Sequence, residues 1–151
     1  MIDVSHPIDP IALSLDRINV QLHQHLVACQ DCFYPADRVA AQVWAGPITP
    51  SFRVDAFCNV QARPAALIID VSRVLPDDWP RLVAHEYAHA IVGDSGHCRR
   101  YAEVLQHLCR GWGWELLPTY ADGGVDCHRV NLATFPPCRS QPNPRDFWRG
   151  C

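Results

Sequence analysis

Residues 85–89 read His85-Glu86-Tyr87-Ala88-His89, inside a segment whose apolar residues recur at helical spacing. At 3.6 residues per turn, positions four apart share one face, so a helix here sets His85 and His89 side by side. Two imidazoles on successive turns match the donor arrangement of a tetrahedral zinc ion. Glu86 flanks that face without being a ligand. It is placed to take a proton from a water on the metal and hand it to a leaving amine, as general base and then general acid. The chain has only three Glu, so one falling between these two His is a specific signal. The expected helix covers 79–92: Asp77 and Asp78 favour its N-terminus, Pro80 suits its first turn, and Gly93 suits its end.

A catalytic zinc site uses three protein ligands and keeps one position open. The third ligand is expected to be His97, eight residues after His89 and beyond Gly93 and Gly96, where the chain can turn back. Glu103 and His107 are the alternatives further along. His97 opens a third predicted helix, running from about His97 to Arg110, capped by Ser95 or Asp94 and stopped by Gly111. Its buried face is Tyr101, Val104, Leu105 and Leu108.

Upstream, a helix is expected from about Pro10 to Ala28, with Asp9 as N-cap and Ile11, Leu15, Ile18, Leu22 and Leu26 as its apolar stripe. Val39–Trp44, Phe52–Cys58 and Ala66–Val71 read as strands. Phe52, Val54, Ala56 and Cys58 share one side of the second. They suggest a small three-stranded antiparallel meander. Beyond Pro118, Gly123-Gly124, Pro136-Pro137, Pro142 and Pro144 break every periodicity, so 118–151 reads as an extended Pro-rich tail. Phe135, Phe147 and Trp148 are its candidate anchors. The expectation is one α+β domain over 1–151, with a compact core at about 10–117: N-terminal helix, three-stranded sheet, HExxH helix, third-ligand helix and tail.

The stretch from about Ala66 to Leu108 resembles the SprT-like zinc metallopeptidases, which are related to Spartan-type and minimal gluzincin-like domains. The residues that carry the resemblance are Leu67-Ile68-Ile69-Asp70, then His85-Glu86-Tyr87-Ala88-His89, then Gly96-His97-Cys98-Arg99-Arg100-Tyr101. It implies a peptidase with His85, His89 and His97 as zinc ligands, Glu86 as catalytic acid/base, and Tyr101 as an aromatic that packs rather than reacts. The family's C-terminal zinc ribbon of paired CxxC motifs has no counterpart here, since Cys127, Cys138 and Cys151 are widely spaced. The metzincin pattern is excluded, because its third His position is Ser95.

Composition sets the remaining bounds. A net charge of −3, with all 13 basic residues Arg, argues against a nucleic-acid partner. No apolar run reaches the roughly 18 residues needed to span a bilayer. The first twenty residues lack a basic and then apolar leader, which points to the cytoplasm and to reduced thiols for the eight Cys. Cys29-Gln30-Asp31-Cys32 is a lone CxxC at a helix end. Packing is its favoured role, with a second zinc on His25, Cys29 and Cys32 as the alternative. The functional expectation is peptide-bond hydrolysis by one zinc ion on a peptide or protein substrate. The rivals are a non-catalytic zinc-stabilised adaptor and a hydrolase of non-peptide amides.

Overall fold

Ala65–Ile69 is the most apolar of the strands, and it lies in the middle of the sheet, where both edges are bonded. In the computed structural model, which describes residues 10–52 and 54–114, the chain is α+β. Its elements are α1 (Pro10–Gln30), β1 (Ala41–Ala45), β2 (Ala56–Asn59), β3 (Ala65–Ile69), α2 (Trp79–Val92) and α3 (Arg99–Trp112). Short 3-10 turns cover Pro35–Asp37, Pro50–Phe52 and Pro76–Asp78. Asp9 and the segment 118–151, with its anchors and its three Cys, lie outside the described residues.

The sheet is mixed, in the order β1-β3-β2, and this corrects the antiparallel meander. β3 runs parallel to β1, with Val43 opposite Leu67, and antiparallel to β2, with Cys58 opposite Leu67. The reason lies in the connections. Ten residues separate β1 from β2, too long for a tight hairpin, whereas five separate β2 from β3. In that shorter link the Asn59 side-chain oxygen accepts from the Gln61 and Ala62 N–H groups and closes the turn. β2 is therefore an edge strand beside the HExxH helix. Phe52 and Val54 are exposed, contrary to the alternation read across 52–58, because the strand begins only at Ala56.

One face of the sheet is covered by helices. α1 packs on β1 and α2, and α2 packs on β2, β3 and α3. Leu22, Leu26 and Cys29 of α1 meet Leu67, Ile69, Val83 and Tyr87 in one continuous core with Leu105 and Leu108 of α3. Each such side chain contributes about 1.5–3 kcal/mol by leaving water. α3 starts two residues later than expected and passes through Gly111 to Trp112. Gly111 is a packing site rather than a stop, since a Cβ there would collide with Cys32 Sγ.

Asp70, buried at the end of β3, organises the loop before β2. Its carboxylate accepts from the Ile48 N–H (3.0 Å), the Ser72 N–H and hydroxyl, and Arg73 Nε (3.1 Å). Arg73 in turn donates to the Val54 and Ile48 carbonyls. The loop that brings the chain to Val54 and Ala56 is thus tied to the sheet through one buried ion pair. Among the described residues, no helix is long and apolar enough to cross a membrane.

Candidate metal centre

α2 buries Val83, Tyr87 and Ala90 against the core, which turns His85, Glu86 and His89 toward one side. At its end, Gly93 adopts φ 75°, a left-handed conformation that glycine takes without a Cβ penalty, and its N–H bonds the His89 carbonyl. The chain then reverses through Asp94 and Gly96, where the Gly96 N–H donates to Asp94 Oδ1. This turn returns His97 to the helix face, just before α3 rather than as its first residue.

The donor nitrogens of His85, His89 and His97 all lie within 4.8 Å of one another, close enough to hold a metal ion. His85 Nε2 and His97 Nε2 are 3.4 Å apart. Two nitrogens bound at about 2.0–2.1 Å to one tetrahedral ion stand roughly 3.3–3.4 Å apart, so the residues present fit such an ion. The ring of His89 is oriented from behind. Its Nδ1 is 3.0 Å from the Asp94 carbonyl oxygen, which only accepts, so Nδ1 carries the proton and Nε2 keeps its lone pair. Burial and the neighbouring imidazoles push His85 down to about 3 and His97 to about 4. Burial also lowers His89, against the opposing pull of Asp94. All three rings are therefore neutral at physiological pH, the state a metal needs.

Tyr101 of α3 lies beneath the cluster. Its ring centroid is 4.4 Å from that of His89, 4.7 Å from His97 and 5.5 Å from His85, and its hydroxyl donates to the His85 carbonyl. It packs, as expected, but against all three rings at once.

A cleft of about 200 Å³ runs alongside, with Val54, Asp55 and Ala56 on one wall and Arg81, Leu82, His85 and Glu86 on the other. Glu86 is buried, and burial pushes its carboxyl up to about 8. Cys58 is pushed up to about 12 by burial first and then by the Glu86 charge, so it stays a thiol.

Of the alternatives for the third ligand, Glu103 is exposed and pairs with Arg99 at 3.0 Å, and His107 turns to the Cys32 carbonyl and the Phe33 ring. Neither joins the cluster. His25, Cys29 and Cys32 are not gathered either: among the described residues the three His are the group that converges. His25 faces the Trp112 ring, Cys29 is buried in the core, and the Cys32 thiol bonds the Ala28 carbonyl. Cys98 packs against the core edge.

Two contributors went unread in the sequence. Arg81 carried a signal, since it stands four residues before His85 and so shares its face. The Asp94 carbonyl carried none, being a backbone group placed by the turn. No family model, curated protein or solved structure matches the chain.

Proposed function

We propose that this chain is a zinc-dependent metallopeptidase, with His85, His89 and His97 as ligands and Glu86 as general base and acid. The observation that carries the reading is the convergence of the three imidazoles with Glu86 in the wall of a cleft that also reaches His85. Zinc held there would polarise a substrate carbonyl and acidify water. Glu86 would accept the proton of the attacking water and return it to the departing amine. Burial raises the carboxyl to about 8, near the range where a base both accepts and releases a proton readily, and a zinc ion bound beside it would draw it back down. His89 is held in the ligating tautomer by the Asp94 carbonyl, so binding needs no ring flip.

A zinc site that serves only folding has no use for a buried carboxylate beside a cleft, which favours the peptidase over the adaptor. The order of strand, HExxH helix, turn and His97 just ahead of α3 agrees with the order that the SprT-like resemblance implies.

The test is zinc content and proteolysis for the wild type and Glu86→Gln, a substitution that keeps size and hydrogen bonding. One zinc in each, with an unfolded substrate cut by the wild type alone, is the expected result. One zinc in each and no cutting by either would favour the adaptor. No zinc in either would end the reading.

A further inference from the structure

Arg81 stands one helical turn before His85 on α2 and lines the same cleft, beside Leu82. Its side chain is 29% exposed, and its Nη1 lies 3.9 Å from Asp78 Oδ1, an ion pair longer than a hydrogen bond. A guanidinium is a planar fork of donors, and that of Arg81 belongs to a residue in the cleft wall. The one carboxylate on the facing wall, Asp55, has Arg73 beside it as a counter-charge. Arg73 is itself fixed by Asp70 and the Val54 carbonyl. Among the lining residues Arg81 is the one cation and Asp55 and Glu86 are the carboxylates, and Asp55 already has Arg73 as its counter-charge, so an entering carboxylate would pair with the Arg81 guanidinium. The rest of the wall, Val54, Ala56 and Leu82, is apolar and suits a methylene stem. Water takes about 30 Å³ per molecule in the liquid. A volume of about 200 Å³ therefore receives one side chain of moderate size and not a folded segment.

We propose that this cleft recognises a carboxylate-bearing residue next to the bond that is cut, and that Arg81 selects it. The assignment rests on the peptidase reading. The carboxylate has two sources of the same chemistry: an Asp or Glu side chain within a peptide, or the free C-terminus of a chain.

The experiment measures binding without turnover, by fluorescence anisotropy on the zinc-loaded Glu86→Gln chain. Three labelled peptides share one sequence: Glu at the tested position with an amidated end, Gln with an amidated end, and Gln with a free C-terminal carboxylate. A carboxylate-bearing peptide is expected to bind about tenfold more tightly than the neutral one, the size of one charge-assisted contact at a half-open site. Which of the two gains names the source. Arg81→Gln in the same background is expected to erase the gain, and Arg81→Lys, which keeps the charge but not the fork, to retain a part of it. Zinc content and the thermal midpoint check that each variant is folded. Equal binding of all three peptides, or a preference that survives Arg81→Gln, overturns the assignment and leaves the peptidase reading standing. No binding of any peptide, with zinc in place and no cutting by the wild type, overturns both.

Discussion

The Tyr101 ring lies on the His89 imidazole, with 4.4 Å between centroids and 30° between planes. The same fully buried ring meets His97 edge-on and sends its hydroxyl to the His85 carbonyl. One residue of α3 therefore sets the positions of imidazoles that come from α2 and from the turn after it.

Tyr101→Ala is accordingly expected to weaken zinc binding by about 10–100-fold, the usual effect of losing a group that orients ligands. Tyr101→Phe keeps the stack and loses one hydrogen bond, so its zinc affinity stays within a few-fold and its stability falls by about 1 kcal/mol. Competition against a chromophoric chelator reads the affinity. Equal losses in both variants would mean that the hydroxyl, not the ring, holds the site.

Glu86 makes the stability of the metal-free chain depend on pH. Burial raises its carboxyl from 4.5 to about 8, so the folded chain keeps a proton that the unfolded chain has released. That contribution is fully present below the unfolded value and is lost as pH rises toward the folded one. Glu86→Gln does not titrate. With a chelator present, the variant is expected to match the wild type near about pH 4.5 and to exceed it near about pH 8 by up to about 4 kcal/mol. The histidines titrate in both proteins and cancel in the comparison. Urea midpoints at the two pH values give the answer, and a gap that does not grow with pH would place Glu86 in contact with water.

What was legible in the sequence was what helical periodicity carries. His85, Glu86 and His89 needed only a turn of 3.6 residues, and His97 needed only flanking glycines able to reverse the chain. The pairing of strands was not legible, because β2 crossing to the far side of β3 depends on link lengths and on which strand is most apolar, not on alternation within each strand. Phe52 and Val54 show the limit: they continue the alternation of Ala56 and Cys58 on paper, yet the turn at Pro50–Phe52 takes them out of the strand. Arg81 stands outside any run of charge, and a single Arg acquires its meaning only from the wall it lines.

Asp70→Ala is expected to cost about 3–5 kcal/mol, since it leaves Arg73 without its buried partner and the Ile48 N–H without an acceptor. The pair ties down the loop at Ile48 and Val54, which carries none of the three imidazoles, so a variant still folded is expected to bind zinc normally. Its Val54–Ala56 wall is loosened, so peptide affinity falls while zinc content holds. Denaturation curves with metal analysis separate the two effects, and a joint loss of zinc and stability would show that the loop also supports the ligands.

Thiol chemistry tests the packing of α1 against α3. Burial holds Cys29 at about 12 and Cys109 at about 11, and Cys58 is raised to about 12 on the strand beside Glu86. A thiol near 12 is about one part in ten thousand thiolate near about pH 8, and the thiolate is the species that reacts. Brief alkylation of the native chain followed by mass spectrometry is therefore expected to leave all three unmodified, while the same treatment in urea labels them. Labelling of Cys109 at the rate seen in urea would mean that α3 opens from the core. Because Tyr101 rides on the same helix, such opening would also release zinc, and a chelator would then draw the metal out on the time scale of the alkylation.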